Sequence, residues 1–145
     1  MTRPHATTAP ATETATELHL FASRLVRQQR AASVFPFHQL TVLGRLSREG
    51  ALTTSQLAAE ERVRQQSMAQ TVADMAANDL VRRRPDPTDG RKVLLEITEA
   101  GEAVLRRERQ ARMAWLAAAI EDRLDPEERG LLDKSVALLH RLVET

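Results

Sequence analysis

The 145-residue chain contains no cysteine. That absence excludes disulfides, thiol nucleophiles, cysteine metal sites and thiol redox switches together. Aromatic residues make up only 3% (Phe21, Phe35, Phe37 and Trp115), so a stacking platform for nucleic-acid bases is not expected. No apolar run is long enough to span a bilayer, and Met1 to Pro10 holds no apolar signal core. The sequence therefore predicts a cytoplasmic protein with no membrane partner. Neither sign of charge dominates, with 21 Lys and Arg against 20 Asp and Glu for a net charge of +1. Bulk charge thus says nothing about a nucleic-acid partner, and any such argument rests on where the charges sit.

What is present is an ordinary globular composition, 42% hydrophobic and 28% charged, in a length suited to one domain or two small lobes sharing a core. Residues 1–16 mix Thr, Ala and Pro with few bulky apolar side chains, and the expectation there is a disordered arm. From Glu17 the pattern turns helical, with Leu18, Phe21, Ala22, Leu25 and Val26 on one stripe that stops before Pro36. Phe37 to Arg48 carries Leu40, Leu43 and Leu46, with Gly50 as a stop signal. A short helix capped by Thr53, Thr54 or Ser55 follows, then a second from about Arg64 to Ala77 with Met68, Val72 and Met75 on one face.

The next segment alternates as strands do, through Leu80 to Arg84 and Lys92 to Ile97. Between them lies a turn-rich link, Pro85 to Arg91, whose Asp89-Gly90 pair is a hairpin signal. Thr98 then caps a long helix reaching Glu121 or Asp122, and Asp125-Pro126 opens a last one carrying Leu131, Leu132, Val136, Leu139, Leu142 and Val143. The predicted fold is mainly α with a small β-hairpin wing. It comprises a winged helix-turn-helix lobe over 37–98, a connecting helix over 99–122, and terminal helices over 17–35 and 123–145. The apolar faces of those terminal helices are too large for a lone helix pair, which points to a homodimer.

Two short helices followed by a basic hairpin point to DNA. With Met68, Val72 and Met75 turned inward, Gln66, Ala69, Gln70, Ala73 and Ala77 face outward. Small alanines let a helix sit deep in the major groove, and the glutamines can hydrogen-bond base edges. Asp74 is a cost on that face unless it lies away from phosphates or pairs with a neighbouring arginine. Between Arg62 and Lys92 the basic residues are Arg62, Arg64, Arg82, Arg83, Arg84, Arg91 and Lys92, against Asp74, Asp79, Asp86 and Asp89. This local excess is the footprint of phosphate contact. Arg82 to Arg84 alternatively serve as a solvated edge that resists aggregation, and alternation turns Arg83 away from its neighbours.

The run from about Leu40 to Thr98 resembles the MarR family of bacterial transcriptional regulators. Leu52 to Ala58 is similar to the start of that family's third helix, and Asn78 to Arg91 to its entry into the wing. Asp89-Gly90-Arg91, with Leu95 to Thr98 closing the second strand, matches its wing signature, and Glu99-Ala100-Gly101 resembles the opening of its fifth helix. The resemblance implies an obligate homodimer, probing DNA with a wing arginine in the minor groove held by its aspartate. Those roles fall to Arg91 and Asp89. A narrow minor groove concentrates negative potential, which gives the inserted guanidinium a physical reason.

The chain departs from the family between its third and fourth helices. Glu61-Arg62-Val63-Arg64 stands where an apolar residue, Gly, Val and a capping Ser are usual. Arg62 must then take the turn at some strain, or the turn differs; Glu61 and Arg64 can pair locally, and Arg64 can reach a phosphate.

The expected DNA-contacting set is Thr54, Ser55, Arg64, Gln65, Gln66, Ser67, Gln70, Thr71, Arg82, Arg84, Asp89, Arg91 and Lys92. Family members bind small aromatic acids or lipophilic molecules between the lobes, which implies a small-molecule effector near Phe37, His38, Met113 and Trp115; ordinary core packing is the competing reading of each. The histidines His5, His19, His38 and His140 lack paired ligand spacing, so no metal is expected, and no other cofactor. No phosphate loop or nucleophile-base pair marks an enzyme. The expected function is a regulator, a repressor released by its ligand from a pseudo-palindromic operator. The competing reading is a winged-helix protein-interaction module with incidental DNA binding.

Overall fold

The computed structural model describes residues 10–144. Six helices and three short strands follow in the order α1 (Ala11–Ala32), α2 (Phe37–Glu49), β1 (Leu52–Thr53), α3 (Thr54–Glu60), α4 (Gln65–Ala77), β2 (Val81–Pro85), β3 (Val93–Ile97), α5 (Glu99–Arg123) and α6 (Pro126–Val143). The strands form one antiparallel sheet in the order β1-β3-β2.

The first helix begins at Ala11 rather than Glu17, so Ala11 to Thr16 are not the disordered arm expected. Once a downstream stripe has nucleated a helix, each further residue adds a backbone hydrogen bond at little cost, and alanine favours the extension. These first turns bury nothing, which is why apolar patterning missed them. The remainder of the expected arm, residues 1–9, lies outside the described residues.

Local chemistry explains most other boundaries. Thr53 caps α3 by accepting from the Gln56 amide at 3.1 Å, while the Gln56 side chain returns to the Thr53 amide at 2.9 Å. Asp125 and Glu128 close the same reciprocal box at the start of α6, with Pro126 in the first turn. Thr98 caps α5 by accepting from Gly101 at 3.0 Å. Gly101 is required by close approach, because a Cβ there would stand 2.4 Å from the Leu80 carbonyl oxygen.

The core is confined to one lobe. Leu40, Val42, Leu43 and Leu46 of α2 pack with Leu57 of α3, with Met68, Val72 and Met75 of α4, and with Val81, Leu95 and Val104. The inward face predicted for α4 is thus present. By contrast α1 and α6 bury none of their residues.

Two features of the sheet differ from expectation. Strand β1, pairing Leu52 with Leu95 and Thr53 with Leu94, is too short to show alternation. The hairpin pairs Val81 with Ile97 and Pro85 with Val93, leaving a seven-residue tip, 86–92. Gly90 does not adopt a positive φ, so Asp89-Gly90 is not the tight two-residue turn its dipeptide signals. Asp86 and Asp89 shape the tip instead, each accepting from a backbone amide two residues ahead.

Candidate nucleic-acid interface

Helix α4 presents Gln65, Gln66, Ser67, Ala69, Gln70 and Ala73 to solvent over its buried methionine and valine face. Arg64 occupies the N-cap without a side-chain cap bond, leaving its guanidinium exposed beside the start of the helix. Gln65 donates its amide to Ser55 Oγ, which ties α4 to the first turn of α3. Thr54 beside it is half-buried. Thr71 is also half-buried, and its hydroxyl donates back to the Ser67 carbonyl at 3.1 Å, so it has no donor left over.

Asp74, the unfavourable carboxylate on this face, is partnered by a glutamine rather than an arginine. Gln70 donates Nε2 to Asp74 at 2.9 Å, leaving its own carbonyl and second amide hydrogen available. The expected Glu61–Arg64 pair is not formed. Glu61 instead accepts from Arg45 Nε at 2.7 Å, because α2 passes close behind the turn.

In the wing, Arg82 and Arg84 share one face and converge on Glu96 of β3, Arg82 at 2.9 Å. The two arginine bonds hold the Glu96 carboxyl below its usual pKa, that from Arg84 being the larger cause. Glu96 therefore stays charged and cancels part of the positive stripe, a consequence of cross-strand register that composition does not show. Arg83 is exposed on the opposite face and carries no ion pair among the described residues.

At the tip, Asp86 accepts from both the amide and the hydroxyl of Thr88, at 2.8 and 2.7 Å, which lowers its pKa. Asp89 accepts from the Arg91 amide at 3.1 Å. The aspartate thus holds the arginine's backbone and leaves the guanidinium extended into solvent. Arg91 and Lys92 face the first turn of α3 across an open groove lined by Thr53, Thr54, Ser55 and Asp86. Sequence reasoning missed Asp86 and Glu96 as organising groups. The x-proline spacing around Asp86 was a turn signal, whereas the role of Glu96 required the strand register.

A second cleft, of about 560 Å³, lies between α1, α2 and α5. Phe37, Leu40 and Leu105 supply apolar walls, while Arg30, Arg48, Arg106, Arg109 and Arg112 face them with Glu102. Arg30 stacks on Phe37 at 3.6 Å from the ring centroid. Of the expected ligand residues, Phe37 lines this cleft and Trp115 lines an adjoining recess of about 50 Å³. His38 and Met113 line neither; they point to solvent from α2 and α5. No group of three metal-ligating side chains occurs among the described residues, and no helix among them is long and apolar enough to cross a membrane.

An exposed polar helix seated on a helical pair beside a basic hairpin defines a winged helix-turn-helix of the DNA-binding class. Comparison with known proteins sharpens that assignment. Residues 35–92 match the MarR family pattern. An HTH-type transcriptional regulator of Mycobacterium tuberculosis is 38% identical over 133 residues, covering 90% of this chain and 92% of the relative. The crystal structure of a transcriptional regulator protein from Pseudomonas aeruginosa is 32% identical, with a TM-score of 0.75, over 95% of this chain and 99% of that one. A variant of MepR from S. aureus bound to an oligodeoxyribonucleotide shares the fold at 13% identity and a TM-score of 0.67, over 90% of this chain and 98% of that one. The chain belongs to the MarR family of transcriptional regulators.

Proposed function

We propose that the chain is a homodimeric repressor that reads a pseudo-palindromic operator and is released by a small anionic effector. The observation that carries the DNA reading is the outer face of α4, where Gln66 and Gln70 stand among small alanines with no bulky side chain in the way. In this reading Gln66 and Gln70 meet base edges in the major groove. Arg64, Ser55, Thr54, Gln65 and Ser67 meet phosphates around the helix start, and Arg91 enters the minor groove with Lys92 on its rim. Arg82 and Arg84 approach the backbone with the guanidinium edges that Glu96 leaves unused.

Dimerisation is supported by the terminal helices. Leu131, Leu138, Leu142 and Val143 of α6 and Phe21 of α1 are all more than half exposed, an apolar surface that water does not favour. Two-fold pairing through these helices would set two α4 helices in successive major grooves, about 34 Å apart. The arginine cleft suits an anion with an apolar or aromatic body, because guanidinium groups pair with a carboxylate while Phe37 and Leu105 shelter the rest. A ligand there that favours one lobe spacing over another would shift the population away from the DNA-fitting form.

The test is binding to the DNA upstream of the protein's own gene, beside a shuffled duplex of equal length, at two salt concentrations. Preference for the native duplex with a steep fall at higher salt is expected. Equal, weak binding to both duplexes with little salt response would overturn the reading in favour of a protein-interaction role.

A further inference from the structure

The turn between α3 and α4 keeps the paired backbone bonds that close a helix C-terminus but lacks two other local aids, a glycine at its left-handed position and a side-chain cap on the helix that follows. Arg62 sits at φ 53°, in the left-handed region that favours glycine. Its side chain is exposed and makes no ion pair among the described residues, so it does not secure its own conformation. The following helix starts at Gln65 with no side-chain cap. What closes the turn locally is a pair of backbone bonds, Arg62 N–H to Ala59 at 3.2 Å and Val63 N–H to Ala58 at 3.0 Å.

A non-local group stands behind this turn. Arg45, reaching from α2, binds Glu61 at 2.7 Å through Nε, and binds Glu49 at 2.8 Å and Glu60 at 3.3 Å through one terminal nitrogen. The Arg45 and Glu61 side chains are only 19% and 17% exposed, so their attraction is less screened than that of a surface pair. Hydrogen bonding to Glu61 is the main cause that raises the Arg45 pKa. Glu61 is the residue immediately before the strained one, and α2 belongs to the rigid core through Leu43 and Leu46.

We propose that Arg45 is a positioning residue for DNA reading. By fixing Glu61 against α2 it holds Arg62 in its left-handed conformation and so sets the angle at which α4 is presented, without touching DNA itself. The proposal rests on α4 being the reading helix. It also explains how the chain tolerates arginine where glycine would be unstrained: the clamp supplies from α2 the restraint that backbone preference does not.

The experiment compares wild type, Arg45→Met, Arg62→Gly and the double variant, all as full-length protein. Methionine keeps the packing of the arginine stem and removes its charge. The probes are the duplex that wild type enriches from a random-sequence pool and a scrambled duplex of the same composition. Hydrogen exchange of the Val63 amide is followed in parallel, without DNA.

Arg45→Met is expected to weaken binding to the enriched duplex about tenfold, change scrambled-duplex binding less than about twofold, and leave the salt slope intact. Val63 exchange should quicken at least about tenfold while thermal unfolding remains cooperative. In the Arg62→Gly background the same Arg45 change should cost at most about threefold in binding, because the turn no longer needs restraint.

Equal loss on both duplexes with a salt slope lower by about 0.9 would overturn the proposal, since it would make Arg45 a phosphate contact. A lower melting temperature with unchanged affinity at 25 °C and unchanged Val63 exchange would overturn it too, leaving Arg45 a scaffold group. Should wild type enrich no duplex, the DNA reading fails, and the exchange data still decide whether the clamp exists.

Discussion

The winged lobe and the terminal helices are built from equally apolar sequence and end in opposite states. In the lobe, every strongly patterned segment finds a partner within the chain, and Leu43, Leu57 and Met75 are wholly excluded from water. In α1 and α6 the leucines lie on stripes just as regular, yet Leu142 is 72% exposed and Leu131 is 59% exposed. An apolar stripe states that a helix needs a partner and does not state where that partner is. The difference teaches that one half of the molecule covers its own apolar surface, whereas the other half leaves an apolar surface that the chain itself does not cover.

Substitutions in the two halves should therefore behave differently. Leu43→Ala removes a side chain with no exposure from the centre of the lobe and should cost about 2–5 kcal/mol. Chemical denaturation would read this as a lowered midpoint at unchanged slope; a cost under about 1 kcal/mol would show that the lobe is looser than its burial indicates.

Leu142→Glu, in the exposed stripe of α6, should leave the winged lobe folded and raise the dimer dissociation constant at least about tenfold, or about 1.4 kcal/mol. Analytical ultracentrifugation across a concentration series checks this. An unaltered monomer at all concentrations, in wild type and variant alike, would show that the exposed stripe of α6 needs no second copy.

Arg91→Ala should weaken DNA binding about tenfold and lower the salt slope by about 1, with helix content and dimer retained. The guanidinium has no ion-pair partner among the described residues, so its loss leaves no charge there unpaired. Unchanged affinity in a fluorescence titration would remove the wing tip from the interface.

The smallest effect concerns pH. Asp86 is held below its ordinary value of 3.8 by the Thr88 amide and hydroxyl, and Glu96 below 4.5 by Arg84 and Arg82. A depressed carboxylate adds stability that is present above its unfolded pKa and lost as pH falls through its folded pKa. The wing tip should thus stay ordered at neutral pH and loosen only in acid, below the ordinary carboxylate range. The Thr88 amide resonance, titrated from pH 7 to pH 2, should shift with a midpoint under 3.8; a midpoint at or above that value would remove the Asp86 brace.

Much of this molecule was legible because local rules fixed it. Thr53, Thr98 and Asp125 mark helix starts through hydrogen bonds made within three residues, and Met68, Val72 and Met75 mark the inner face of α4 through helical period alone. At Arg62 the sequence left two readings, a strained turn or a different one, and the left-handed φ of 53° selects the first. The start of α1 was not legible, because Ala11 to Thr16 are helical while burying nothing.

The charge pattern shows the boundary between the two kinds of information most clearly. Sequence determined that Arg82, Arg84, Arg91 and Lys92 lie on one hairpin, and that Glu61 sits beside an awkward turn. Tertiary structure decided that Glu96 would claim two of those arginines, and that Glu61 would answer to Arg45 on another helix. The physical reason is range. Caps and amphipathic faces depend on neighbours a turn away, which the chain itself supplies in order. Ion pairs across strands and between helices depend on register and packing, which exist only after distant segments have met.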